Sequence, residues 1–168
     1  MIRLTPVIAN RELWMSLLLE ADESELVIRS YLDQGELFTI DEDEVTRGVV
    51  LIIGEGVDLE IKNIAVEPAS RGRGLGAAAI NLVIDKARSQ GFRRVIVGTA
   101  DSSVGTVRFY QRNGFRIYGV RRGFFDAYPK AIVEDGLVAH DMVILEIAVQ
   151  HRKALRRSGA GEFEEDEC

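Results

Sequence analysis

The spacing of hydrophobic residues changes along the chain from helical to alternating. After a short predicted strand in "MIRLTPVIA", the segments "NRELWMSLLLEA" and "ESELVIRSYLDQG" repeat apolar residues at the spacing of amphipathic helices. We expect Leu13, Leu17 and Leu18 to lie on the buried face of the first helix, and Asn10 to cap its start. The segments "ELFTI", "EVTRGVVLIIG" and "VDLEIKNIAV" then alternate apolar and polar residues, which predicts consecutive strands.

The second half of the chain alternates helices with strands. The pattern predicts a helix from about residue 74 to residue 90, a strand in "RRVIVGTA", and a helix in "SVGTVRFYQRNG" capped by Ser102 or Ser103. Two further strands, "FRIYGVR" and "AHDMVILEIAV", flank an irregular aromatic segment. The predicted fold is therefore a mixed α/β sheet of about seven strands with about four helices, in the order β-α-α-β-β-β-α-β-α-β-β.

The segment "VDLEIKNIAV" contains a break in its alternation. Its apolar residues stand at odd positions up to Ile61 and at even positions from Ile64. One extra residue near Lys62 and Asn63 accounts for this shift, and such an insertion is typical of a β-bulge. A bulge here would spread two strands apart and free the backbone groups of residues 65–66 for a ligand. Burial of both strand faces would explain the same pattern without a bulge.

Composition and charge describe one globular domain with an acidic end. A chain of 168 residues, 46% hydrophobic and 29% charged, is long enough for a single core. Much of the net charge of −6 comes from five carboxylates in residues 162–167. We expect residues 1–148 to form the domain, and residues 149–168 to be a basic helix end and a disordered acidic tail. The acidity therefore indicates little about the substrate.

Several classes of protein are disfavoured. The chain has neither an apolar run long enough to span a bilayer nor a signal-peptide core, so we expect a cytoplasmic protein without a membrane partner. Its one cysteine, Cys168, is the last residue, which leaves no internal disulfide and no cysteine metal cage, and we expect no metal. We expect His140 and His151 to be structural or solvated. The basic stretch "HRKALRR" lacks interleaved aromatic residues, which disfavours nucleic-acid binding.

A glycine-rich turn precedes the helix predicted from residue 74. In "ASRGRGLGAAAINLV", three glycines and two arginines fall within residues 71–76. A strand that ends in such a turn and opens a helix presents unpaired N–H groups at the positive end of the helix dipole, which favours phosphate. Glycine lets the backbone approach the ligand, and the guanidinium groups of Arg71 and Arg73 match phosphate oxygens. A solvated turn without a ligand is the simpler alternative.

The glycine pattern can be compared with two known kinds of phosphate-binding loop. A Walker loop requires a lysine after its last glycine, and none follows these glycines. Residues 72–77 satisfy the dinucleotide pattern G-x-G-x-x-A, and Asp101 lies at the end of the next strand. A Rossmann domain needs more βα units than this chain provides, so the dinucleotide match is weak.

Two motifs together resemble the GNAT superfamily of acyl-CoA-dependent N-acetyltransferases. Residues 71–76 are similar to its [QR]-x-x-G-x-[GA] pyrophosphate loop, "NIAVEPASRG" looks like its fourth strand, and "RFYQRNGF" at 108–115 resembles its second signature. The similarity covers roughly residues 2–148 and includes the order of the elements. It implies acetyl-CoA as co-substrate and transfer of an acetyl group to a primary amine by direct attack in a ternary complex.

The resemblance also implies where the coenzyme binds. The pantetheine arm would lie along the fourth strand, the diphosphate would bind the glycine loop, and the amide of Val66 would stabilise the developing oxyanion. The implied coenzyme-binding residues are Ile64, Ala65, Val66, Arg71, Gly72, Arg73, Gly74, Leu75, Gly76, Asp101, Ser103, Tyr110 and Arg112. Asp101 stands near the place where many members have an asparagine, which would remove one donor to the pantetheine.

Two side chains are candidates for proton transfer. An amine with a pKa of about 10.4 is a cation at neutral pH and must lose a proton before it attacks a thioester. Glu60 resembles the strand-four glutamate of the family and is our predicted base, with Asp58 on the same strand face as the alternative. Tyr110 matches the family's acid for the leaving thiolate, although its place on the helix is equally that of a core aromatic residue.

The acceptor has no signature of its own. The resemblance places it between the first helices and the loop after the sixth strand, lined by Trp14, Tyr31, Phe124, Phe125 and Tyr128. We expect a small-molecule amine because the chain carries no added recognition domain. A protein or peptide amine, a non-catalytic acyl-CoA binding module and a nucleotide-binding protein are the alternatives. A homodimer is left open.

Overall fold

A computed structural model describes residues 1–149 of the chain. The predicted basic helix end beyond Val149, the acidic tail, His151 and Cys168 lie outside the described residues.

The described residues form a sheet, a small hairpin and four α-helices. The strands are β1 (Ile2–Pro6), β2 (Glu36–Glu42), β3 (Val45–Glu55), β4 (Asp58–Val66), β5 (Arg94–Ala100), β6 (Arg116–Arg121), β7 (Val133–Glu134), β8 (Leu137–Val138) and β9 (Met142–Ala148). The helices are α1 (Met15–Leu18), α2 (Glu25–Tyr31), α3 (Leu75–Ser89) and α4 (Val104–Arg112). Among them, no helix is long and apolar enough to cross a membrane.

The main sheet has seven strands in the order β1-β2-β3-β4-β5-β9-β6. Only the β4–β5 pair is parallel, since α3 carries the chain across one face of the sheet between these two strands. The order of the main elements agrees with the prediction. The β7–β8 hairpin and three 3-10 turns, at residues 11–14, 68–70 and 124–127, are additions that the hydrophobic pattern does not indicate.

Helices cover both faces of the sheet. On one face, α3 and α4 pack against a core that includes Leu59 and Ile61 of β4. On the other face, α1 and α2 pack against a core that includes Ala65 of the same strand. Ile64 packs against the same core as Leu59 and Ile61, so the odd-numbered positions of the strand change face between Ile61 and Ala65.

A bulge at Lys62 causes this change of face, as the sequence predicts. Leu51 of β3 pairs with Asn63, but the next residue, Ile52, pairs with Ile61, so that Lys62 has no partner on β3. The parallel pairing of β4 with β5 covers only Asp58–Ile61. The two strands diverge beyond that point, which opens a gap in the middle of the sheet.

The start of the first helix differs from the prediction. Asn10 occupies the predicted N-cap position, but it is left-handed (φ 55°, ψ 45°) and its side chain makes no capping hydrogen bond. Residues 11–14 form a 3-10 turn with three residues per turn, which shifts the apolar stripe. Leu13 is consequently 73% exposed, whereas Leu18 is fully buried. Ser103 occupies the cap position of α4, but its hydroxyl donates to Glu134 and does not cap the helix.

A buried carboxylate joins the first three strands. Asp41 is 6% exposed. Its carboxylate accepts hydrogen bonds from the hydroxyls of Thr5 at 2.6 Å, Thr46 at 2.8 Å and Thr39 at 3.2 Å. Burial by itself raises the pKa of Asp41, but these donors and the charge of Arg3 lower it below its usual value. The ionised form of Asp41 is therefore the form that stabilises the fold.

We expect Asp41→Asn to lower the free energy of unfolding by about 1–3 kcal/mol at neutral pH, because the three hydroxyls lose a charged acceptor. A lowered pKa stabilises the fold above the unfolded pKa of about 3.9, and this contribution disappears as pH falls through the folded value. The difference between the two proteins, measured by urea unfolding from about pH 7 to 3, should therefore shrink with acid. Asp33→Asn, at an exposed site, is the control. A difference independent of pH would contradict the assignment.

Candidate active site

A cavity of about 400 Å³ opens where β4 and β5 separate. Its walls come from the α1–α2 loop, α2, the bulged half of β4, the end of β5, the first turns of α4, and the segment between β6 and β9. Of the predicted site residues, those that line it are Glu60, Ile64, Ala65, Val66, Arg71, Ser103 and Tyr110. The structure thus brings the two candidate proton-transfer groups and the end of β4 into one space.

The backbone of Val66 faces the gap between the strands. The amide of Glu67 donates to the carbonyl of Arg47 on β3 at 2.8 Å. Because antiparallel pairing alternates, the N–H and C=O of the preceding residue, Val66, point away from β3. The side chain of Arg71 donates to this carbonyl at 3.1 Å, in agreement with that direction. The same alternation turns the backbone of Ala65 toward β3, so Val66 and not Ala65 offers its amide to the cavity.

The glycine loop connects this gap to the start of α3. Gly72 (φ 75°) and Gly74 (φ 80°) are left-handed, a conformation that favours glycine. Within residues 1–149, the amides of residues 72–74 donate no backbone hydrogen bond, and the first-turn amides of α3 follow them directly. Gly76 is required for a different reason, since a Cβ there would lie 3.2 Å from the ring of Phe109. It allows α3 and α4 to pack closely.

Both loop arginines are paired with carboxylates. Arg71 contacts Glu20 of the α1–α2 loop at 2.6 Å, and Arg73 contacts Glu42 at the end of β2 at 2.8 Å. The two arginine side chains are 52% and 50% exposed. Such exposed pairs contribute little free energy, so phosphate oxygens could replace the carboxylates as partners.

The structure distinguishes the two candidate bases. Glu60 lines the cavity and its carboxylate lies 3.8 Å from the ammonium of Lys62. Asp58 lies outside the cavity, where Arg94 donates to both of its carboxylate oxygens at 2.6 and 2.9 Å. These hydrogen bonds lower the pKa of Asp58. Asp58 is therefore committed to an ion pair, while Glu60 faces the space where an amine could bind.

Tyr110 combines a packed ring with an unpaired hydroxyl. It is 4% exposed, and its ring packs edge-on against Phe109 and Phe115 with centroids 5.3 and 5.4 Å away. The hydroxyl has no hydrogen-bond partner among residues 1–149. Burial raises the pKa of Tyr110 well above its usual value, so the hydroxyl remains a proton donor at neutral pH.

Two of the predicted coenzyme-binding positions, Asp101 and Arg112, lie outside the cavity. The carboxylate of Asp101 accepts the amide of His140 at 3.0 Å and anchors the start of β9, outside the cavity. Ser103 lines the cavity and is therefore better placed than Asp101 to contact a ligand. Arg112 is exposed on the last turn of α4, away from the cavity. His140 pairs with Asp126 on the surface at 2.8 Å, in the structural role expected for it.

The far wall of the cavity is aromatic and acidic. Tyr31, Phe124, Phe125 and Tyr128 line it as predicted, whereas Trp14 packs into the α1–α2 core and lies outside. The charged residues that line the cavity as a whole are Glu20, Asp22, Glu23, Glu60, Glu134, Lys62 and Arg71. Carboxylates thus outnumber cations five to two around the cavity.

A hydrogen-bond network that sequence analysis missed fixes this wall. The hydroxyls of Tyr31 and Tyr128 donate to Asp22 at 3.1 and 3.4 Å. The amide nitrogen of Asn63 donates to the Tyr31 hydroxyl and to the carbonyl of Leu18, both at 3.0 Å. Burial raises the pKa of both tyrosines. The only sequence signal was Asn63, a polar residue at the predicted bulge; its partners are distant in the chain.

Known proteins resemble this chain in sequence and in fold. The family model "Acetyltransferase (GNAT) family" matches residues 8–115. The uncharacterized N-acetyltransferase YvbK of Bacillus subtilis is 36% identical over 138 residues, which cover 81% of this chain and 88% of that protein.

Solved structures agree with that match. A GNAT family acetyltransferase from Elizabethkingia anophelis with acetyl-CoA bound superposes with a TM-score of 0.82 at 35% identity, covering 88% of this chain and 97% of that chain. A Bacillus subtilis acetyltransferase in complex with CoA gives a TM-score of 0.81 at 30% identity, covering 89% of this chain and 100% of that chain. With its fold, its glycine loop and its sequence in agreement, the chain belongs to the GNAT family of acetyltransferases.

Proposed function

We propose that this chain transfers the acetyl group of acetyl-CoA to a small cationic amine, by direct attack in a ternary complex. The observation that carries the proposal is the cavity at the β4–β5 gap. It joins the carboxylate of Glu60, the unpaired hydroxyl of Tyr110 and the gap-facing backbone of Val66. These groups supply a base, an acid and an oxyanion donor in one space.

Acetyl-CoA fits the residues beside this space. The unpaired amides of residues 72–74 and of the first turn of α3 suit a diphosphate, and Arg71 and Arg73 add charge. Residues 64–66 of β4, which no longer pair with β5, suit the amide-containing pantetheine arm. Relatives of this chain at 35% and 30% identity were crystallised with acetyl-CoA and with CoA, which supports the same ligand here.

In the proposed reaction, Glu60 accepts a proton from the ammonium of the acceptor, and the free amine attacks the thioester carbonyl. The amide of Val66 stabilises the oxyanion that forms. As the carbon–sulfur bond breaks, the hydroxyl of Tyr110 donates a proton to the departing sulfur. The products are the acetylated amine and CoA.

The charge of the cavity favours a cation. Carboxylates outnumber cations five to two around the cavity as a whole, and Tyr31 and Tyr128 hold Asp22 in place among aromatic rings. Aromatic faces and carboxylates are the partners that an ammonium group prefers in proteins. The cavity of about 400 Å³ is in the range of small-molecule sites.

Two measurements on the purified chain test this function. Calorimetry with acetyl-CoA should detect binding, and a panel of small amines should then release thiol from the bound coenzyme. Amines that are cations at neutral pH should release it faster than matched alcohols, which retain size but carry no charge. If acetyl-CoA binds and no amine accelerates thiol release above hydrolysis, the proposed reaction is wrong.

A further inference from the structure

One primary amine already lies inside the candidate active site. Lys62, the extra residue of the β4 bulge, lines the cavity with Glu60, Val66 and Tyr110. Its ammonium lies 3.8 Å from the carboxylate of Glu60 and 5.3 Å from the centroid of the Tyr31 ring. This position gives the ammonium a carboxylate and an aromatic face, the same surroundings that we propose for the acceptor.

The ammonium of Lys62 is not locked in this position. At 3.8 Å, the contact with Glu60 is longer than a hydrogen bond, and the two side chains are 25% and 32% exposed. Ion pairs of this kind are weak, and lysine has four rotatable side-chain bonds that can move the ammonium within the cavity. Lys86 and Lys130, the other lysines of residues 1–149, lie outside the cavity, where Lys86 pairs with Glu36.

We propose that Lys62 is a self-acetylation site, modified by this chain when acetyl-CoA is bound and no external amine occupies the cavity. The inference rests on the proposed function, since it uses the same base and the same donor. It adds a site at which the chain covalently modifies itself.

The chemistry balances with the groups present. Glu60 takes one proton from the Lys62 ammonium, and the freed Nζ lone pair forms a bond to the thioester carbonyl carbon. The carbon–sulfur bond then breaks, and the sulfur takes a proton from Tyr110. The nitrogen loses its second proton as the amide forms. The overall change converts the ammonium and acetyl-CoA into an acetyl-lysine amide, CoA and one released proton.

Mass spectrometry of the full chain tests the inference. The folded protein is incubated with acetyl-CoA and no amine, and acetylated peptides are mapped over time. We expect one acetyl group per chain, located on Lys62, with Lys86 and Lys130 as internal controls for uncatalysed acetylation. Lys62→Arg should abolish this modification, and Glu60→Gln should slow it by about tenfold or more. Acetylation should also stop in urea, where the site is lost.

The outcomes separate this inference from the function on which it rests. If calorimetry detects acetyl-CoA binding and amines release thiol, but Lys62 stays unmodified, the inference is wrong and the proposed function stands. Equal acetylation of Lys62, Lys86 and Lys130, or the same rate in urea, would also overturn it. If acetyl-CoA does not bind, both fail together.

Discussion

Replacing Glu60 by glutamine should lower kcat by about a hundredfold at neutral pH. Glutamine keeps the size and polarity of the side chain but cannot accept a proton, so the acceptor stays a cation and cannot attack. The loss should diminish as pH rises toward the amine pKa of about 10.4, because solvent then deprotonates the acceptor without help. Coenzyme affinity should not change, since Glu60 is outside the two segments that we propose bind the coenzyme, residues 64–66 and the glycine loop.

The measurement is a pH–rate profile of both proteins between about pH 6.5 and 10, at saturating acetyl-CoA. Asp58→Asn is the matched control, because it removes the other carboxylate on the same strand face. We expect that variant to keep kcat while losing stability, since Arg94 donates to both oxygens of Asp58. A Glu60→Gln profile parallel to that of the parent would exclude Glu60 as the base, and a large loss of kcat in Asp58→Asn alone would reverse the two roles.

The sequence predicts the fold well where the signal is local. The change from odd to even apolar positions after Ile61 locates the bulge because pairing register and side-chain direction are linked in a strand. The order of strands and helices follows from the same periodicities. The pattern fails at Asn10 and Leu13, because a 3-10 turn replaces the first turn of the predicted α-helix and the assumed period no longer applies.

The candidate site is less predictable, since its contacts join distant parts of the chain. Glu60, Tyr110 and the glycine loop can be named from the family resemblance, and the structure places Glu60, Tyr110 and Arg71 of that loop on one cavity. The link between Asp22 and Tyr128 spans 106 positions, and no local pattern indicates it. The same limit applies to Asp58. Its strand position makes it as good a candidate base as Glu60, and only the structure shows that Arg94 binds its carboxylate.

Replacing Tyr110 by phenylalanine should lower kcat by about tenfold to a hundredfold, with little change in coenzyme affinity or stability. The expectation follows because the ring and the hydroxyl of Tyr110 have different surroundings. Its ring is part of the core with Phe109 and Phe115, and phenylalanine retains that packing. Its hydroxyl has no partner within residues 1–149, so removing it leaves no described donor or acceptor unsatisfied.

Steady-state kinetics measures kcat, calorimetry with CoA measures coenzyme affinity, and thermal unfolding measures stability. Tyr118→Phe, at an exposed tyrosine of β6 outside the cavity, should change none of them. The raised pKa of Tyr110 keeps its hydroxyl protonated through the neutral range, so the loss should be similar across that range, unlike the pH-dependent loss in Glu60→Gln. If kcat is unchanged in Tyr110→Phe, the leaving thiolate takes its proton from another source, and Tyr110 contributes only its ring to the core.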